Sequence, residues 1–207
     1  MLRLSVSQAL TRACALAQGG SRRLLGLAGE PGAGKSTLSA RIAQRCPGDS
    51  VVVPMDGFHL AHSELERLGR AARKGAPDTF DAWGFLALVQ RLAADDEPVV
   101  YAPQYRRELH NGVAGAVPVP RHTPLVVVEG NYLLLDEPPW ASLRALFGEI
   151  WFVEVDERTR LDRLVARHVQ FGKSRQEALA WSHGPDQANA ELIAATRARA
   201  DAVVEMD

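Results

Sequence analysis

A strand-sized apolar run, Leu24–Ala28, passes straight into GEPGAGKST (Gly29–Thr37) and from there into a helix-forming segment, STLSARIAQRC. No other stretch constrains the fold as strongly. Glycines let the backbone turn tightly enough for successive amide N–H groups to point at one spot, and the helix that follows adds the partial positive charge of its N-terminus. The turn therefore joins a strand to a helix at the start of an α/β unit. Four further apolar, partly β-branched runs follow: Val51–Pro54, Leu125–Val128, Ile150–Val155 and Ala202–Glu205. They are apolar nearly throughout, as strands buried on both faces are. Helical patterns separate them, at Ser36–Cys46, roughly Ala61–Lys74, Asp81–Ala94, and Arg158–Phe171 with a continuation through Ala180. Repeated strand–helix order predicts an α/β fold with a five-stranded, mostly parallel sheet and right-handed crossovers.

The remaining segments carry weaker signals. Leu2, Val6, Ala9, Leu10, Ala13 and Leu16 recur at helical spacing, so the N-terminus reads as an amphipathic helix packed on the domain rather than an Arg-containing transit peptide. Pro98–Tyr101 is extended, but it lies in a Pro- and Gly-rich region reaching Pro124 that reads as irregular and lying over the sheet's edge. With 207 residues, 46% apolar and 24% charged, and no internal repeat, the expectation is one domain over 1–207. A net charge of −1 supplies no basic field for nucleic acid, and the apolar runs are too short to span a bilayer. Cys14 and Cys46 match neither metal-ligand spacing nor a disulfide framework, which favours a reducing, cytoplasmic setting.

Gly29, Gly34, Lys35 and Ser36 satisfy G-x-x-x-x-G-K-[ST] between a strand and a helix. In that pattern the loop of Gly29, Glu30, Pro31, Gly32, Ala33, Gly34, Lys35, Ser36 and Thr37 wraps phosphates. Lys35 reaches the β- and γ-phosphates and the Ser36 hydroxyl is placed for Mg²⁺. A dinucleotide site fits poorly, because Thr37 stands where a third glycine belongs and the lysine suits terminal phosphates. The expected cofactors are ATP and Mg²⁺. No N-K-x-D stretch supports a GTPase, and DAWG (Asp81–Gly84) opens a helix instead of following a strand. Instead, VVVPMDGFHL ends a strand on Asp56 and PLVVVEGNYLLL ends one on Glu129. Ligands of open α/β sheets bind beyond the carboxyl ends of the strands, so both acids face the phosphate loop. One can help hold hydrated Mg²⁺ while the other accepts a proton from an attacking hydroxyl.

GEPGAGKST, MDGFHL, PDTFD and VVVEGNYLLL together resemble the family of phosphoribulokinase, uridine kinase and bacterial pantothenate kinase. MDGFH is most similar to the pantothenate kinases and PDTFD to the uridine kinases. VEGNYLLLDEPPW, RLVARHVQFGKS and TRARADAVVEMD resemble short bacterial proteins called fructose transport system kinases. The resemblance runs from Leu24 to the C-terminus and implies a P-loop NTPase three-layer sandwich with a helical lid. It implies that Asp56 is the catalytic base, that Glu129 is the acid near the metal, and that Asp81 contacts the substrate. Phe58, His59, Tyr105 and Arg106 then fall on acceptor-pocket positions, Asn189 near the nucleotide base, and Arg163, Arg167 and Lys173 in the lid. Arg160, Arg163 and Arg167 share a helix stripe at i, i+3 and i+7 beside an apolar stripe, and Arg160 is left without a role. His62, His122 and His183 lack metal-ligand spacing; Trp140, Trp151 and Trp181 read as core or interface. Where uridine kinases carry His-x-Arg, PQYRRELHNGV has His110, Asn111 and Gly112, a departure that weakens a nucleoside acceptor. The expected activity is γ-phosphoryl transfer to a hydroxyl of a small molecule, a sugar such as fructose, with a nucleoside or pantothenate-type alcohol or a regulatory ATPase as alternatives. The protein is expected to act without nucleic acid or membrane partners, and a homodimer is compatible with this picture.

Overall fold

The computed structural model describes residues 1–109 and 111–206. Among the described residues, eight strands and seven α-helices follow in the order β1 Leu2–Ser5, α1 Val6–Ala17, β2 Arg23–Ala28, α2 Lys35–Arg45, β3 Ser50–Pro54, α3 His62–Arg67, α4 Ala82–Ala94, β4 Val99–Arg106, β5 Asn111–Pro120, β6 Leu125–Glu129, β7 Glu149–Glu154, α5 Glu157–Gln170, α6 Arg175–His183, α7 Pro185–Ala194 and β8 Ala202–Glu205. β1, β8, β7, β2, β6 and β3 form, in that spatial order, a sheet in which every pairing is parallel.

Strand alternation divides the apolar side chains between two layers of core. On one face Leu25, Leu27, Val127, Val153 and Val204 meet the buried stripes of α1 and α2. On the other, Leu24, Ala28, Val126, Val128, Ile150, Phe152 and Val203 pack with Phe85, Leu88 and Leu92 of α4 and with Tyr132 and Trp140. Both faces are covered, which is why these strands read as unbroken apolar runs. The five expected strands all form, within a residue or two of their expected limits.

The sixth, β1, corrects the expectation of a helix from Leu2. Those residues pair with β8 in register from Leu2↔Ala202 to Ser5↔Glu205, and Arg3 pairs with Glu205. The local signal was a capping box: Ser5 N–H donates to Gln8 Oε1 at 2.9 Å while Gln8 N–H donates to Ser5 Oγ at 3.3 Å, which starts α1 at Val6.

Four further expectations are corrected. The Pro/Gly-rich region is an ordered antiparallel hairpin, β4–β5, paired from Val99↔Pro120 to Arg106↔Asn111 with an irregularity at Pro103. In a two-stranded ribbon each strand has an unpaired edge, so prolines are tolerated, while Val100, Ala102 and Val119 are buried against α4 and its neighbours. The helix expected over roughly 61–74 breaks after Arg67, with Gly69 at φ 65°, and resumes only as a 3-10 turn, Ala71–Arg73. The helix beginning near Arg158 ends before Gly172 (φ 98°), and α6 starts afresh from a capping box of Ser174 and Glu177. Cys14 and Cys46 are joined by a disulfide, contrary to the expectation of unpaired thiols. α1 and the end of α2 lie side by side on one sheet face, a proximity that a separation of 32 residues conceals.

The hairpin is seated on the turn after β3 by backbone contact. A Cβ at Gly57 would run into the Pro103 carbonyl, and one at Gly112 into the Gly57 carbonyl. Gly57→Ala should therefore destabilise the protein by about 1–3 kcal/mol through overpacking, seen as a lowered Tm. An unchanged Tm would show that the hairpin is not seated this way.

Candidate active site

Every strand that points at the site does so with its carboxyl end. β2 delivers the loop from Gly29, β3 the 3-10 turn Met55–Phe58 with Asp56, and β6 ends on Glu129. α5, α6 and α7 close the opposite wall. Together they surround a cavity of about 910 Å³. The loop's glycines are held where no side chain fits. Gly29 (φ 147°) lies against the Val153 carbonyl, and Gly32 (φ 84°) would place a Cβ 2.8 Å from the Arg160 carbonyl oxygen. Gly34 (φ 101°) caps α2 in the left-handed region. The result is a backbone-lined cradle at a helix N-terminus, the geometry that receives phosphate groups.

Lys35 is buried, and its Nζ donates to the carbonyls of Gly29 at 2.7 Å and Glu30 at 3.0 Å. Burial depresses its pKa to about 8, opposed by the charges of Glu129, Asp56 and Glu30 and reinforced by Arg167. Ser36 Oγ donates to Glu129 Oε1 at 2.9 Å. A hydroxyl and a carboxylate brought together beside a phosphate cradle fit Mg²⁺, which takes one or two protein oxygens and the substrate's phosphates. Ser36 and Glu129 would hold that ion, and it would supply charge neutralisation between the β- and γ-phosphates.

Asp56 faces the same cavity. Its backbone carbonyl accepts from His59 Nδ1 at 2.8 Å, and the His59 ring lies tilted against Phe80 and Tyr105, with centroids 4.0 Å and 5.0 Å away. His59, Tyr105 and Phe80 thus wall the acceptor end. From the lid side Arg163, Arg167 and Lys173 reach the cavity, with Arg163 Nη1 3.6 Å from the Cβ position of Gly34 and Lys173 Nζ 4.4 Å from the centre of the Trp181 ring. Asn189 is buried on α7 and lines the cavity near Gly75, its Nδ2 3.7 Å from the Cβ position there. The structure thus puts Asn189 beside the loop that carries Lys74.

Several expected site residues stand elsewhere. Asp81 is exposed and caps α4, accepting from Gly84 N–H at 2.8 Å; it does not line the cavity, because the cap draws its carboxylate back onto its own helix. Phe58 packs edge-on against Phe85, 5.3 Å away, under the pocket floor. Arg106 is exposed at the hairpin's end opposite Asn111, and His110 lies outside the described residues. Within the loop, Ala33 is buried and Glu30 turns away from the cavity to meet Arg160.

Arg160 is the residue the helix stripe misjudged. Only 2% exposed, it sits where α5 touches the phosphate loop, whereas Arg163 and Arg167 lie farther along, over the cavity. Its Nε approaches Glu30 Oε2 at 2.8 Å, close enough to pair but poorly aligned as a hydrogen bond, and its Nη2 donates to Gln187 Oε1 at 2.5 Å. The Arg160 guanidinium holds down the Glu30 pKa, which burial raises more strongly. One cation thus ties the loop to α5 and α7. A second link, His168 Nε2 to Asp186 Oδ2 at 2.7 Å, joins α5 to α7 at the cavity wall. Neither pair is visible as a motif, because each joins residues from separate elements.

No family model matches the chain. A protein of Schizosaccharomyces pombe provisionally called a uridine kinase is 32% identical over 97% of this chain and 90% of its own length. The uncharacterised Escherichia coli protein YggC is 35% identical over 89% of this chain and 78% of its own. A crystal structure from Silicibacter sp. TM1040, provisionally described as a fructose transport system kinase, superposes with a TM-score of 0.84 and 37% identity, covering 94% of this chain and 98% of that one.

Two outcomes follow from this geometry. Arg160→Met strands Glu30 at the loop. Breaking an enclosed pair costs about 3–5 kcal/mol, and Glu30 keeps a quarter of its side-chain exposure, so a loss of roughly 2–3 kcal/mol by denaturant unfolding is expected. The double variant Glu30→Leu/Arg160→Met should recover much of it; strict additivity would refute the pairing. Second, the folded Lys35 pKa of about 8 lies below its ordinary 10.5, so the unfolded chain binds more protons between those values. Stability should rise by up to about 3 kcal/mol across that window and this rise should vanish in Lys35→Met, while kcat/KM for ATP falls as the free protein loses the Lys35 charge. A flat profile for both would refute the shift.

Proposed function

The chain belongs to the phosphoribulokinase, uridine kinase and pantothenate kinase family of P-loop kinases, and on that footing we propose that it transfers the γ-phosphoryl group of ATP to a hydroxyl of a sugar-like small molecule. The observation that carries this reading is the opening of the phosphate cradle and Asp56 into one cavity, with an aromatic acceptor wall on one side and lid cations on the other. A switch ATPase needs a cradle but has no use for a base beside an acceptor pocket.

The acceptor hydroxyl attacks the γ-phosphorus while its proton passes to Asp56. The new O–P bond forms as the bond to the β-phosphate oxygen breaks, and ADP carries away that electron pair. Lys35, Arg163 and Arg167 offset the charge on the transferring group, and enclosure by α5–α7 limits water as a competing acceptor. The sugar reading is supported by the name given to the Silicibacter protein. A nucleoside is the second reading, supported by the name of the S. pombe relative and opposed by the missing His-x-Arg. The proposed setting is the cytoplasm, where ATP is supplied, although the Cys14–Cys46 bond removes the unpaired thiols on which that expectation partly stood.

ADP release measured across sugars, nucleosides and pantothenate should rise well above the acceptor-free rate for at least one class. Asp56→Asn should keep ATP affinity and lose on the order of 10²–10⁴ in turnover, the range of general base catalysis. ATP affinity that falls in parallel and depends steeply on magnesium would instead make Asp56 a metal-holding residue.

A further inference from the structure

Residues 1–17 form an arm at the edge of the fold. Among the described residues β1 pairs only with β8, from Leu2↔Ala202 to Ser5↔Glu205, and α1 returns over the sheet face that carries α2. Little apolar surface holds this arm down. The buried stripe of α1 is Val6, Ala9, Ala13 and Ala17, and an alanine buries far less than a leucine or isoleucine. Leu10 and Leu16 are only partly buried against the same layer. The arm's ion pairs, Arg3 with Glu205 and Arg12 with Glu149 at 2.6 Å, use exposed arginines and contribute little in water. A cavity of about 640 Å³ opens at the elbow, between Ser5 and Gln8 on the arm and Arg41 and Met206 on the body. What closes the arm is covalent: Cys14 of α1 is bonded to Cys46, the residue that caps the C-terminus of α2.

The place of this bond in the chain ties it to the phosphate loop. It closes a separation of 32 residues, and the enclosed segment contains β2, all of Gly29–Thr37 and α2. α2 therefore carries the cradle at one end and the bond at the other. β8, the partner of β1, runs on into Met206, whose Cε lies 3.2 Å from the Cβ position of Gly34. The arm thus braces the loop from two sides. Cys46 is 4% exposed, whereas Cys14 is half-buried and open to attack. We propose that the Cys14–Cys46 bond is a redox latch: closed, it holds the arm on α2 and the cradle in its phosphate-binding shape; opened by a dithiol reductant, it frees the arm and weakens ATP binding. A thiolate of the reductant attacks the Cys14 sulfur, the S–S bond breaks, and Cys46 leaves as a thiolate that takes up a proton. The reductant's second thiol then displaces Cys14 from the mixed disulfide. Two electrons and two protons pass to the protein, and the reductant becomes a disulfide. The latch acts on the ATP site and is independent of which compound accepts the phosphate.

The full chain should be equilibrated in dithiothreitol at graded ratios of its reduced and oxidised forms, with alkylation and mass spectrometry counting the open bonds. On reduction, amide exchange over Leu2–Ala17 and Ala202–Glu205 should accelerate by at least about tenfold, within the constraint a disulfide of this loop length supplies. Exchange over β6 should stay unchanged. Affinity for a non-hydrolysable ATP analogue should fall by about tenfold over the same range of ratios, since a loosened loop must be reordered on binding, and reoxidation should restore it. Cys14→Ala/Cys46→Ala should behave as the reduced protein at every ratio. Two thiols that stay open in oxidised buffer would overturn the latch. So would faster exchange with unaltered ATP affinity, which would make the bond a staple without influence on the site. If the analogue binds in neither state, the kinase reading falls, and exchange at Gly34–Ser36 decides the latch: acceleration on reduction upholds the coupling of arm to loop, and an unchanged rate rejects it.

Discussion

The site depends on backbone packed against backbone. Gly29 lies on the Val153 carbonyl of β7 and Gly32 on the Arg160 carbonyl of α5, so the phosphate loop is clamped between the sheet and the first turn of the lid. Only residues without a Cβ permit such an approach at positive φ. The clamp brings Arg160 to the loop, and from that contact the rest of the lid takes its direction. α5 runs outward from it over the cavity, and α7 returns beneath, tied by Gln187 to Arg160 and by Asp186 to His168.

Charge is arranged around this clamp in a consistent way. Lys35 is buried deeply enough to lose most of its hydration, and only the combined fields of Glu129, Asp56 and Glu30 keep its pKa near 8. Arg167 works against them. A triphosphate entering the cradle would add negative charge beside the lysine and the lid arginines. Glu30 shows the same economy: it is turned away from the cavity to neutralise Arg160, so the loop's own acid does not repel phosphate.

The acceptor end is built by elements with little sequence signature. The hairpin β4–β5 brings Tyr105 over the turn that carries Asp56, seated there by Gly57 and Gly112. The broken segment between α3 and α4 contributes Lys74 and Gly75, fixed by Tyr132 and Thr79. Kinases of one fold can differ in such loops while keeping the sheet and cradle unchanged, because the loops contribute little to the core and much to the pocket wall.

The sequence by itself determined the parts whose cause is local. A short β-branched run such as LVVVE reads as a strand buried on both faces, and GEPGAGKST between strand and helix reads as a phosphate cradle, so the central strands, the α2 start and the positions of Asp56 and Glu129 at strand ends were legible. The start of α1 was not among them: the apolar spacing through Leu2 ran past the Ser5–Gln8 capping box that the structure shows. What only the tertiary structure decided are the contacts between residues far apart in the chain. β1 becomes a strand because β8 offers it an edge, and Cys14 meets Cys46 because two helices share a sheet face. Asp81 leaves the site because its own helix terminus claims the carboxylate. Arg160 is buried while Arg163 is not because α5 meets the loop at its first turn, a fact of helix placement that spacing along one helix cannot contain.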